Sequence, residues 1–400
     1  MPDDDPQCII LLRQAGTPAA IREQCGAGVG MNNMSNPRIA MPAMTAPPQD
    51  KKKKKKILSQ DRRNDYDVTN TVQVSSPAAV RDAVHELIME TFPGASFDKL
   101  WLAFYDFERL FTGKFPGYKG CDTTYHDMQH TLDMTLALTR LVAGRERSVE
   151  LPDRLGAERA QMAIVTALFH DSGYIRHEER DSGFHNGAEF TLCHVSRSAD
   201  FLRRYLPELG MSRDVPVSSM IVHFTGYELD LDKIELDDPR DIICGHLLGT
   251  ADLIAQMADR CYLEKCRDRL YNEFVLGGIA VENASPGEYT IRYKSGIDLL
   301  AKTPLFYQQV SRERLQQKFN RAYRYMEVLY DGENPYVDAM KNNMMHLVRV
   351  LKSSNWRLLR RSPPYFLGIR SAIQDIENLA RAYLAKVPET AQVISGYATA

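Results

Sequence analysis

The chain has 400 residues, a formal net charge of −2, 44% hydrophobic and 26% charged residues. That length allows one large domain or two ordinary ones, and the near-neutral charge argues against a general affinity for nucleic acid or membrane surfaces. Seven scattered cysteines form no Cys-x-x-Cys pair, the start is acidic without an apolar signal core, and no run approaches the roughly 18 apolar residues of a membrane span, so a soluble cytoplasmic protein with reduced thiols is expected.

Residues 1–60 mix Pro, Met, Asn and Gly with little periodicity and include the run Lys51 to Lys56. This composition predicts a disordered leader; the lysine run reads as a solvated arm, with a nucleic-acid or targeting patch as the sharper alternative. From 77 the pattern turns helical, with Val80, Val84, Leu87, Ile88 and Phe92 at helical spacing, and it stays helical to about 270. Residues 129–143 carry Leu132, Leu136, Thr139 and Leu141 broadly on one side. Residues 158–169 become almost wholly apolar and predict a buried central helix, and 188–205 read as an amphipathic helix stopped by Pro207. Helices over 218–224 and 242–258 follow. Residues 282–292, with Pro286-Gly287, predict a loop or short hairpin, and further helices are expected over 311–329, 339–351 and 369–385. No internal repeat is visible. The fold class is therefore all-α.

Eight of the ten histidines lie between His126 and His246. His126 and His130 are four apart and would share a helix face; Asp133, one turn on, could hold an imidazole N–H of His130. In isolation that spacing, common by chance, favours ordinary surface histidines. His170-Asp171 follows the apolar run 162–169, where a carboxylate is costly unless paired or metal-bound; the plainer alternative is a capping Asp beside a core His. Asp252 sits within Leu247-Leu248-Gly249-Thr250-Ala251-Asp252-Leu253-Ile254 and also needs a partner, metal or salt bridge, with Asp259 as its competitor.

In this order, Tyr125-His126-Asp127-Met128-Gln129-His130, His170-Asp171 and Thr250-Ala251-Asp252 resemble the HD superfamily of metal-dependent phosphohydrolases, and look most like the Tyr-His-Asn-x-x-His signature of its cyclic-nucleotide phosphodiesterase branch. Asp127 departs from that signature, standing where Asn is usual. The resemblance implies an HD-domain helical bundle over 77–270 with additional C-terminal helices over 271–390 packing on it. It implies His130, His170, Asp171 and Asp252 as metal ligands, Asp171 also bridging to a second ion, His126 as general acid, and attack on phosphorus by a metal-bound hydroxide. Two divalent ions (Mn, Mg, Zn or Fe) are expected. Glu189, His194 and His223, with His185 nearby, are candidates for the second metal or the substrate, and Gln316-x-x-Phe319 has the form of the pair that grips the base in cyclic-nucleotide phosphodiesterases.

The expected activity is hydrolysis of a small phosphoester, a cyclic nucleotide or nucleotide among the candidates. The alternatives are an HD-fold di-iron oxygenase using His185, His194 or His223, and a non-catalytic nucleotide sensor. The segment Ser172-Gly173-Tyr174 lacks the Glu-Asp extension usual in alarmone hydrolases. The C-terminal helices could cover the site or form a homodimer.

Overall fold

A computed structural model describes residues 62–285, 288–365 and 369–394, and they form a predominantly α-helical protein. The expected leader, 1–60 with its lysine run, and the Pro286-Gly287 turn lie outside the described residues. In chain order come α1 (Pro77–Thr91), α2 (Asp98–Phe111), α3 (Met128–Ser148), α4 (Gly156–Leu168), α5 (His194–Glu208), α6 (Val215–Ile221) and α7 (Pro239–Ala258). α8 (Tyr262–Lys265) then runs through a π-helical stretch, Cys266–Leu270, into α9 (Tyr271–Leu276). Antiparallel strands β1 (Val281–Ser285) and β2 (Glu288–Ile291) form the expected hairpin. α10 (Gly296–Val310), α11 (Tyr325–Leu329), α12 (Pro335–Ser353) and α13 (Ile369–Leu384) follow, and β3 (Gln392–Val393) pairs parallel to β2.

The deepest element is α3, in which every residue from Met128 to Glu146 is buried. It packs against α1, α4, α7 and α11, so its apolar residues have partners on all sides rather than along one stripe. Two of its buried threonines satisfy themselves: Thr135 and Thr139 hydroxyls donate to the carbonyls one turn back, Thr131 O and Thr135 O, at 2.8 and 2.9 Å. Arg140 reaches outward from it, 2.7 Å from Asp67 and 2.8 Å from the Tyr336 hydroxyl, tying the first described segment and α12 to the centre.

Three elements differ from the sequence expectation. The helix expected from 188 begins at His194, because Asn186 and Glu189 close a short 3-10 turn at Gly187–Phe190. The helix expected over 311–329 is a π-helical stretch, Ser311–Lys318, broken where Asn320 and Arg321 take positive φ (47° and 57°). The boundary expected at 270 falls inside the continuous helical run from α8 to α9. One hydrophobic core draws on both sides of it, with Leu315, Phe319, Met340 and Leu347 joining Leu132, Leu168 and Leu248. A smaller cluster around Val275, Val281, Tyr293 and Ala380 seats the hairpin and α13. Among the described residues no helix is long and apolar enough to cross a membrane, and the five described cysteines are free thiols.

Candidate metal centre

The ligand-bearing side chains come from three places. Asp127 caps α3, its Oδ1 accepting the His130 backbone N–H at 3.0 Å, which sets the ring of His130 in the first helical turn. α4 stops at Leu168, and His170-Asp171 occupy the turn beyond it. There the Ala167 carbonyl lies 2.8 Å from His170 Nδ1; a carbonyl can only accept, so Nδ1 carries a proton and Nε2 is the nitrogen left to face the cluster. Asp252 projects from the buried middle of α7.

These groups converge. His130 Nε2 is 3.2 Å from Asp252 Oδ1 and 3.5 Å from Asp171 Oδ2, and His170 Nε2 is 3.2 Å from Asp171 Oδ2 and 3.9 Å from Asp252 Oδ1. Residue exposure is 7% for His130, 1% for His170, 3% for Asp171 and 6% for Asp252. His170 Nε2 and Asp171 Oδ2 approach one another but lack hydrogen-bond alignment, so both are buried without a hydrogen-bond partner. Ions bound at roughly 2.0–2.2 Å hold neighbouring N and O ligands roughly 3–3.5 Å apart, close to the spacing found here. Two imidazoles and two carboxylates also suit a divalent ion chemically, and the buried His130, His170 and Asp252 could hold one. Burial works against the Asp171 charge, but the imidazoles of His170, His126 and His130 outweigh it and hold the carboxyl well below the usual range. Burial likewise lowers His170, and Asp171 more than offsets this, raising it to about 9.

His126 is not on the helix face of His130, as its spacing suggested; it precedes the Asp127 cap and belongs to the bent segment that leads into α3. Its Nδ1 lies 2.6 Å from Glu273 Oε2, while Glu273 Oε1 accepts the backbone N–H groups of Thr124 and Tyr125, both at 2.6 Å. Burial lowers the His126 pKa, but the Glu273 carboxylate outweighs it and the net shift is upward. Glu273 is fully buried on α9, beyond the expected domain boundary, and nothing in its local sequence marks it. The His126 ring stacks on Tyr174 (centroids 4.6 Å apart), which stacks in turn on His194 (4.4 Å).

Of the residues expected for a second metal, His194 is at the site: its Nε2 is 3.9 Å from Asp171 Oδ1 and its Nδ1 faces the Thr191 carbonyl at 2.8 Å. Burial lowers its pKa, against the pull of Asp171 and Glu228. Gly173 makes this approach possible, since a Cβ there would lie 1.9 Å from the His194 carbonyl. Glu228, unmarked in the sequence, accepts the N–H groups of Val195 and Ser196 at the start of α5 (2.7 and 2.9 Å) and lies 3.9 Å from His194 Nδ1. His223 is buried with Nδ1 unpartnered, and burial lowers its pKa.

Other expectations are corrected. Glu189 is a capping residue whose Oε1 accepts the N–H groups of His185 and Asn186 at 2.6 and 2.9 Å; it does not line the cleft, and His185 is exposed. Asp133 does not hold His130: its Oδ1 has no partner, and burial raises its pKa to about 7. Asp259 is paired with Lys265 at 2.6 Å, and Asp252 is the one that meets the two histidines. Gln316 is exposed and Phe319 sits in the core against Phe224 and His246, so this pair does not grip a base.

The His/Asp cluster forms the floor of a cleft of ≈ 970 Å³, open solvent included. Its outer wall comes from the chain beyond 252: Leu253, Leu270, Phe274, Tyr293, Leu299 and Phe306. Comparison with protein-family models, with curated proteins and with solved structures finds no match to this chain.

Proposed function

We propose that the protein is a metal-dependent phosphohydrolase of the HD type acting on a small phosphoester. The observation that carries this reading is the convergence of His130, His170, Asp171 and Asp252 on one buried point, with two ligand atoms lacking hydrogen-bond partners, at the floor of a cleft that His126 also lines. Those four residues would hold one divalent ion, and Asp171 with His194 would hold a second. Bound there, such ions supply Lewis acidity and lower the pKa of water, which is the chemistry phosphoester hydrolysis needs. His126 is the general acid. Its Nδ1 proton is committed to Glu273, so Nε2 is the nitrogen left to deliver a proton to the leaving oxygen, and the Glu273 carboxylate favours the protonated ring. The apolar and aromatic wall suits the planar organic part of a nucleotide or cyclic nucleotide.

The experiment is hydrolysis of bis(p-nitrophenyl) phosphate by purified protein with Mn²⁺ and with a chelator. Nitrophenol release that stops with chelator and is absent in Asp171→Ala is the expected outcome. Wild-type protein with bound metal and no release on this or a cyclic-nucleotide panel would remove the hydrolase reading.

His194 and the unpartnered His223 favour one second reading, a di-iron oxygenase. It requires substrate-dependent consumption of dioxygen by the Fe²⁺-loaded protein. The His126–Glu273 pair favours hydrolysis, because a protonated imidazole serves a leaving alkoxide.

A further inference from the structure

Arg269 is 3% exposed and lies in the π-helical stretch Cys266–Leu270. One of its guanidinium nitrogens, Nη1, donates to the Thr124 carbonyl and to Asp127 Oδ2, both at 3.3 Å; the other, Nη2, donates to the Pro364 carbonyl at 3.1 Å. Glu273, four residues on, accepts the N–H groups of Thr124 and Tyr125 and pairs with His126. Residues 124–127 are therefore held from one helical run by a cation and an anion, one side chain taking the carbonyl and the carboxylate, the other the N–H groups and the imidazole. π-turns of this kind recur at functional sites, where the wider turn alters which side chains face inward. The Asp127 carboxylate has two tasks: Oδ1 caps the helix that carries His130, and Oδ2 neutralises Arg269. A buried guanidinium without such a partner is strongly destabilising. This gives a physical reason for Asp at 127, since Asn could cap the helix but could not neutralise Arg269.

We propose that Arg269, acting through Asp127 and Thr124, is a positioning residue that fixes the His126 ring over the ligand cluster. The proposal rests on the phosphohydrolase reading for its kinetic consequence, and on the Glu273 pairing alone for its structural one. It predicts that the charge pair matters as a pair. Arg269→Gln leaves Asp127 charged without its cation, Asp127→Asn leaves Arg269 charged without its anion, and the double variant removes both buried charges together.

The test uses the full chain loaded with Mn²⁺ for kinetics on the cyclic nucleotide of the panel that it hydrolyses fastest, whose leaving group is an alkoxide, with metal content measured in parallel. Proton NMR of the metal-free protein follows the far-downfield signal of His126 Nδ1–H, bound to Glu273. Arg269→Gln should lower kcat by about 10–100-fold with KM little changed and metal retained, the usual range for residues that orient a functional group. The downfield signal should broaden or vanish. Asp127→Asn should act in the same direction, and the double variant should recover most of kcat and the signal, as coupled neighbours do; the downfield signal and the kcat-against-KM split in folded, metal-loaded protein separate positioning from a loss of stability. Singles with wild-type kcat and signal, or a double variant as impaired as the sum of the singles, overturns the proposal. If Arg269→Gln fails to fold, Asp127→Asn and the double variant decide it. Wild-type protein without metal-dependent hydrolysis would sink the hydrolase reading, while the downfield signal across the same variants would still decide the positioning role.

Discussion

His126 Nδ1 and Glu273 Oε2 lie 2.6 Å apart, joined across 147 residues of chain. The contact decides which imidazole nitrogen is free and biases the ring toward its protonated form. The helix that carries Glu273 also contributes Phe274 to the wall of the cleft, to which Tyr293 and α10 add further residues.

Glu273→Gln keeps the shape and removes the charge. The His126 pKa, raised by Glu273 against the effect of burial, then falls. The alkaline limb of the kcat–pH profile therefore moves to lower pH, and turnover at pH 8 drops while metal content stays at the wild-type level. A profile that superimposes on wild type would remove Glu273 from the protonation of His126.

His126→Ala should leave the metal bound and lower turnover by about 10²–10⁴, the range for loss of a general acid. Metal analysis alongside kinetics separates the roles: a metal-free variant would make His126 a ligand instead. A substrate with a good leaving group, p-nitrophenolate in place of an alkoxide, should lose less, because it needs less protonation.

Gly173→Ala places a methyl group where the His194 carbonyl stands. Relief requires α5 to move away from the His-Asp turn, at a cost of at least about 2 kcal/mol of stability. Thermal melting should show the loss, and Asp171-dependent metal stoichiometry should fall as His194 withdraws. An unchanged melting temperature would show that the turn has room to adjust.

His246 gives a pH-dependent term away from the site. It packs against Phe224 and Phe319 on α7, and burial lowers its pKa from 6.5 to about 4. The folded state thus disfavours the charged ring. The stability this group contributes is complete above pH 6.5 and is lost as pH falls toward 4, by at most about 3 kcal/mol. Denaturant unfolding of wild type and His246→Gln at pH 7 and pH 4 isolates it: the difference between them should shift toward the variant at low pH. A constant difference would show that His246 is solvated when charged.

The sequence alone determined the all-α class and most of the helices and marked His170-Asp171 and Asp252 as groups in need of a partner, and the physical reason is local; the full set of four candidate ligands came from the family resemblance. Helical spacing of apolar residues marks α1 and α7, and a carboxylate or imidazole within such a run, as at Asp252 or His170-Asp171, stands out because burying it has a cost that something must offset. The tertiary structure alone decided which polar residues face the cluster. Glu273, Glu228 and Arg269 lie on ordinary-looking helical or loop segments, and their roles exist only because α9 and the start of α5 fold back onto residues 124–127 and the His-Asp turn. Glu189 and Asp133 err in the opposite direction: residue type and spacing qualified both, but capping geometry turns one away from the cleft and helix rotation leaves the other without His130. Periodicity reports which side of a helix is buried; it carries no record of what that side meets, and the chemistry of this site depends on those meetings.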